Sequence, residues 1–168
     1  ILKQCGAAAL GTIDPDLPPI LETGEAIVHG WPRALPPSII HSDLFPDNVL
    51  MLGDRVTGMI DFYFACTGSM AYDLAVTHAA WCFDGTGARC DRALGRALIE
   101  GYETLRPLGQ DERAALPLLA EGACLRFIAS RAQDWLDTPD DALVHRKDPM
   151  DFVRRLEFYR ASGQSAFA

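Results

Sequence analysis

Four residues in the first half of the chain combine types and spacing that can do chemistry. His41, Asp43 and Asn48 lie in the run Ile40-His41-Ser42-Asp43-Leu44-Phe45-Pro46-Asp47-Asn48-Val49, and Asp61 lies in Ile60-Asp61-Phe62. Between the two runs stand Val49 to Leu52, a turn at Gly53-Asp54-Arg55, and Val56 to Ile60, the pattern of a β-hairpin. If the hairpin turns about Asp54, residues whose numbers sum to about 108 lie opposite one another, so Asn48 and Asp61 fall within one residue of a cross-strand pair. An amide oxygen and a carboxylate at the same open end of a hairpin can share a hard cation. Oxygen donors suit Mg²⁺, which keeps several waters and takes phosphate oxygens as its remaining ligands. Asp43, on a loop stiffened by Pro46, faces the same space without having to ligate the metal. Such a carboxylate can accept the proton of an attacking hydroxyl.

The elements that must position these groups follow from periodicity. Residues 1–37 read as a lead-in, with proline-rich breaks at Pro15–Pro19 and Pro32–Pro37 around a helix near Pro19–His29. Ile39 and Ile40 lead into the polar loop. After Phe62 the sequence turns helical. Ala71–Phe83 lacks a clean polar face and reads as a buried helix. Asp91 caps a helix whose Leu94, Ala97, Leu98, Gly101, Tyr102 and Leu105 form one apolar face. A third helical region spans Asp111 to Leu136, with Pro117 marking a new first turn. Thr138 to Asp141 is a loop. The last helix opens with Asp148 as cap and Pro149 at its first position, and carries Phe152, Val153, Leu156 and Tyr159 on one side.

The spacing D-x-x-x-x-N, with His two residues before it and Asp-Phe one hairpin later, matches the catalytic-loop and metal-aspartate arrangement of protein-kinase-like phosphotransferases. His41 to Asn48, together with Tyr72-Asp73-Leu74-Ala75, resembles the motifs of the aminoglycoside phosphotransferase and choline kinase superfamily. Within it the chain is most similar to the homoserine kinases, through Asp43 to Val49, Ile60 to Cys66, Ala80 to Phe83, Arg126 to Pro139 and Lys147 to Pro149. The resemblance covers most of Ile39 to Tyr159. It implies an α+β, mainly α-helical fold, the carboxyl-terminal lobe of a protein-kinase-like enzyme, with a β-hairpin carrying the catalytic and metal-binding loops. Residues 1–37 would lead into that lobe and 38–168 would form it.

The implied activity is ATP- and Mg²⁺-dependent phosphorylation of L-homoserine to O-phosphohomoserine, on the route to threonine. Asp43 would be the base, and Asn48 and Asp61 the Mg²⁺ ligands. His41 would brace the loop against the Asp-Phe turn, and Asp73 would accept N–H groups of the catalytic loop. An aminoglycoside or choline acceptor is the alternative within the chemistry, and a non-catalytic binding domain the alternative outside it. Phosphoryl transfer in this fold also needs a glycine-rich loop and a strand lysine. The chain's two lysines, Lys3 and Lys147, stand in no such context. It therefore reads as part of a two-lobed enzyme and is expected to have little or no kinase activity alone.

Other residues carry weaker signals. Taken singly, Asp43, Asn48 and Asp61 are ordinary turn or cap residues; the joint spacing with His41 sets them apart. His41 as a metal ligand lacks a second His or Cys at ligand spacing. Asp47 is an exposed loop carboxylate or a contact for a substrate ammonium. Trp81, Trp135 and Tyr63 read as core aromatics, with a wall for a cationic substrate as the alternative. Arg126 and Arg131 either pair with nearby acids or bind a substrate carboxylate. The acidic run Asp137 to Asp141 reads as a solvated loop.

Composition limits the partners. The 168 residues carry a net charge of −8 with no Lys/Arg-rich stretch, which excludes a nucleic-acid surface. With 49% hydrophobic and 23% charged residues the chain can bury a core, and no run reaches the ~18 apolar residues of a membrane helix. Five cysteines without a C-x-x-C pair favour reduced thiols in a cytoplasmic protein. The expected partners are a small-molecule substrate and a nucleotide, with neither nucleic acid nor membrane.

Overall fold

The computed structural model describes residues 5–139, 141–143 and 146–168. Lys3 and Asp140 lie outside the described residues. The architecture is α+β and mainly helical, and the longest helix organises it. Helix α6, Gln110–Asp137, buries Leu116, Leu119, Ala120, Ala123, Cys124, Phe127 and Ile128, a three- and four-residue spacing that keeps one stripe inward. Against it pack α4, Met70–Trp81, and α7, Met150–Ser162. The α4 core positions are mostly small, Ala71, Ala75, Val76 and Ala79, so the helices approach closely. From α7 come Phe152, Val153, Leu156 and Tyr159, all buried.

Pro117 does not start a new helix but stands inside α6. Its ring removes one backbone hydrogen bond, yet the buried Leu116, Leu119 and Ala120 on either side hold the helix continuous, so packing overrides the local rule. The helix expected near Pro19–His29 is likewise corrected. The lead-in holds three short helices, α1 Ala7–Gly11, α2 Leu17–Glu22 and α3 Gly24–Gly30, with the chain breaking at Thr23. Helix α5, Arg92–Leu105, begins as expected, with the Asp91 carboxylate accepting the Ala93 and Leu94 N–H groups. Its packed face differs from the expected one: Gly95 and Ile99 are buried, whereas Leu94 is 52% and Leu105 92% exposed. Asp148 accepts the Met150 N–H at 2.8 Å, so the cap of α7 operates with the helix boundary one residue later than expected.

Two small antiparallel sheets carry the loops. The hairpin pairs β2, Val49–Leu52, with β3, Arg55–Met59, through Val49↔Met59 and Leu50↔Gly58, and a bulge after Leu50 shifts the last pairs. The turn proper is Gly53-Asp54, with Gly53 at φ 63, where a side chain would be strained. The second sheet was not expected: β1, Pro37–Ile40, pairs with β4, Cys66–Ser69. Gly68 lets the two strands close, since a Cβ there would come within 2.6 Å of the Ile40 Cδ1. The segment after the hairpin therefore forms a 3₁₀ turn, Phe62–Phe64, and a strand before the helices begin. Among the described residues no helix is long and apolar enough to cross a membrane.

Candidate active site

Strand β1 delivers the chain to His41 and Ser42, both buried and both leaving regular pairing with an N–H to satisfy. Asp73, in the first turn of α4, takes both: its carboxylate accepts the His41 N–H at 3.1 Å and the Ser42 N–H at 2.6 Å. A carboxylate also suits the positive end of a helix. The clamp holds Ser42 at φ 66, a left-handed conformation that costs a non-glycine residue about 1–2 kcal/mol. Arg126, from α6, adds to the hold by donating to the Ser42 carbonyl and, at 3.2 Å, to its Oγ.

His41 connects the two loops. Its Nδ1 accepts the Asp43 N–H at 3.3 Å, which leaves Nε2 to donate to the Ile60 carbonyl at 2.9 Å. Its ring lies 4.8 Å from that of Phe62. The next residue after Ile60, Asp61, is the other non-glycine residue with positive φ among those described, at φ 61 and ψ 60. The hairpin closes at its base through the Ile60 N–H and the Asn48 carbonyl, 3.0 Å apart. Asn48 and Asp61 therefore emerge at one end, as the spacing implies. The Asn48 Nδ2 donates to the Asp43 carbonyl at 2.8 Å, so its Oδ1 stays available to a ligand. The Trp81 indole donates to the Leu44 carbonyl at 2.9 Å and fixes the outer part of the loop.

Asp43, Asn48 and Asp61 line one cleft of about 340 Å³, shared with Arg126, Phe127, Ser130, Asp134 and Lys147. Burial pushes the Asp43 carboxyl above its ordinary range and the Asp61 charge adds to this, against the pull of Arg126, His41 and Lys147. Arg126 Nη2 lies 3.4 Å from Asp43 Oδ1, and the guanidinium sits over the rings of Phe64 at 4.9 Å and Phe127 at 4.6 Å. The aromatic faces keep the cation in place without consuming its donors. Among the described residues no group of three or more His, Cys, Asp or Glu can hold a metal ion. What the cleft offers is two oxygen donors, the carboxylate of Asp61 and the amide oxygen of Asn48, a set that fits a cation drawing its other ligands from water and phosphate. A larger groove of about 1040 Å³ lies between α3 and α6, but its lining is mostly apolar and includes none of these three residues.

The remaining candidates separate. Trp81, Trp135 and Tyr63 do not form one wall: Trp81 holds Leu44, Trp135 lies under Arg146, and Tyr63 is 86% exposed. Arg131 is engaged by the Asp148 carbonyl and the Asp151 carboxylate, whereas Arg126 faces the Ser42-Asp43 loop. Asp47 is exposed at the edge of the cleft. Of the acidic run, Asp137 and Asp141 are exposed. Sequence reasoning did not find Ser130, Asp134 or Lys147 as cleft residues; the four-residue recurrence from Arg126 to Asp134 is the signal that points to the first two.

This fold, with Asp43, Asn48 and Asp61 gathered in one cleft, belongs with the phosphotransferases. Residues 3–108 match the family described as phosphotransferase enzyme family, and the chain belongs to it. Among curated proteins it is 50% identical over 136 residues to the homoserine kinase of Rhizobium etli (strain CIAT 652), covering 81% of this chain and 42% of that protein. It is 51% identical over 158 residues to the homoserine kinase of Gluconacetobacter diazotrophicus, covering 92% of this chain and 49% of that one. The homoserine kinase of Sinorhizobium fredii is 53% identical over 136 residues, covering 81% and 41%. The chain thus spans less than half the length of these relatives. Among solved structures, a Plasmodium vivax ethanolamine kinase superposes over 90% of this chain and 41% of its own, with a TM-score of 0.55 at 16% identity, a likeness of fold.

Proposed function

We propose that this chain forms the catalytic-loop side of an ATP- and Mg²⁺-dependent kinase that phosphorylates the hydroxyl of L-homoserine, giving O-phosphohomoserine. The observation that carries the reading is the meeting of Asp43, Asn48 and Asp61 in one cleft, within a sequence about half identical to homoserine kinases. Asp43 orients the acceptor hydroxyl and takes its proton as the new O–P bond forms and the bond to the leaving β-phosphate oxygen breaks. The carboxyl's raised proton affinity favours that transfer. Asn48 and Asp61 would hold Mg²⁺, which when bound neutralises charge on the β- and γ-phosphates. Arg126 steadies Asp43 and adds a positive charge at the edge of the reacting space.

The glycine-rich loop and strand lysine are proposed to lie in the part of the relatives' length that this chain does not span. The test is ADP formation by the full-length protein with L-homoserine, choline and an aminoglycoside as acceptors. L-Homoserine should be the preferred acceptor, and Asp43→Asn should lower kcat on the order of 10³-fold. Turnover of choline or the aminoglycoside without L-homoserine overturns the acceptor assignment; an unchanged kcat in Asp43→Asn overturns the base.

A further inference from the structure

Facing the catalytic loop, α6 presents Arg126, Ser130 and Asp134 at every fourth residue, a row along one side of the helix, and all three line the cleft. Lys147, from the segment that precedes α7, lines it too. The charges of this wall are unequally committed. Arg126 is taken up by Ser42 and Asp43, and Arg131 by Asp148 and Asp151. The side chains of Asp134 and Lys147 form no hydrogen bond or ion pair among the described residues. On this wall Asp134 is the uncommitted carboxylate and Lys147 the uncommitted cation among the described residues, with Asp47 and Asp61 uncommitted on the opposite, hairpin side, and the Lys147 charge is close enough to act on the Asp43 carboxyl.

We propose that Asp134 and Lys147 select a zwitterionic acceptor, Asp134 receiving its α-ammonium and Lys147 its α-carboxylate, with the acceptor hydroxyl turned to Asp43. This rests on the phosphotransferase reading above and adds the groups that choose the acceptor. The chemistry requires such a pair. An amino acid entering a partly buried cleft loses hydration at both charges and binds only where each is met. In a hydroxy amino acid whose hydroxyl and α-carbon are separated by two methylene groups, both charges must be met in the cleft that holds the base. Asp47 is the competing carboxylate; exposed like Asp134, it differs in standing beside Asn48 on the cation side, whereas Asp134 stands on the α6 wall.

The experiment measures kcat/KM of the full-length protein for L-homoserine, for 4-hydroxybutyrate, which lacks the ammonium, and for L-homoserinamide, which lacks the carboxylate. The wild type should prefer L-homoserine over each analogue on the order of 30-fold or more. In Asp134→Asn the preference over 4-hydroxybutyrate should shrink to a few-fold while that over the amide persists; in Lys147→Met the pattern should reverse. Each preference is a ratio within one variant, so a loss of folded enzyme does not affect it. Unchanged ratios in either variant overturn the assignment, as does collapse of the 4-hydroxybutyrate ratio in Asp47→Asn but not in Asp134→Asn. A wild type that ignores L-homoserine while phosphorylating choline overturns the parent reading instead, and the two failures are distinguishable.

Discussion

Removing the carboxylate of Asp73 should loosen the whole loop from His41 to Asn48. Asp73→Ala leaves the His41 and Ser42 N–H groups without an acceptor in a place where both residues are over nine-tenths buried. Each such buried donor costs about 1–3 kcal/mol, and hydrogen bonds to a charged group lie in the upper part of that range. Two together give a loss of about 3–5 kcal/mol, reduced where water reaches the gap. Asp73→Asn should lose less, about 2–3 kcal/mol, because the amide oxygen can still serve one N–H while its NH₂ group faces the other. Urea unfolding of the 168-residue chain, followed by circular dichroism, should show a midpoint lowered by about 1–2 M for Asp73→Ala. Amide exchange should quicken at His41 and Ser42 before other positions in the fold. In the full-length protein kcat should fall on the order of 10²-fold, since the aim of Asp43 depends on the held loop. An Asp73→Ala chain with the wild-type midpoint and slow exchange at both amides would refute the reasoning.

Three further outcomes follow from other parts of the structure. His78 is fully buried against the Tyr159 hydroxyl at 2.6 Å, and burial lowers its pKa to about 4, with the Ala166 backbone opposing the shift. A histidine depressed on folding contributes stability above its unfolded value of about 6.5 that is lost as the pH falls toward 4; wild type should therefore lose about 2 kcal/mol more than His78→Gln between about pH 7 and pH 5, and equal losses in the urea titrations would contradict this. Phe152 is wholly buried, with Arg155 at 4.3 Å and Arg131 at 4.6 Å over its ring, so Phe152→Ala should cost about 3–5 kcal/mol by thermal or urea unfolding. Arg126→Met removes a charge that holds the Asp43 carboxyl down, so the acid limb of kcat/KM in the full-length protein should move to higher pH.

The parts legible in the sequence are those governed by short spacings. Asn48 and Asp61 could be set together because a hairpin imposes its own register, and the bulge after Leu50 lies beyond the pairs that matter. The Asp91 and Asp148 caps are similarly local. Long-range choices were less visible. Nothing in the spacing of Arg126 says that it reaches back to Ser42 and Asp43, more than 80 residues earlier; its type allowed an ion pair but not the identity of the partner. Strands β1 and β4 are four residues each, one opening with proline and the other containing glycine, so local preference hides their pairing. At Pro117 and along α5 the local rule was plain but tertiary burial decided: the core around Leu116 kept one helix straight through a proline, and Gly95 and Ile99 rather than Leu94 and Leu105 turned inward.

The His41 bridge has a mechanical consequence. Through one imidazole the Asp43 amide and the Ile60 carbonyl are tied directly, and the Ile60 N–H to Asn48 contact closes the same ring of bonds beneath the hairpin. The spacing of Asp43, the proposed base, from Asn48 and Asp61, the proposed cation ligands, is therefore set at the root of the hairpin and not by its length. Beyond Val49 and Met59 the hairpin is a tether, not a ruler: its outer rungs can lengthen, shorten or twist without passing the change to the chemistry below.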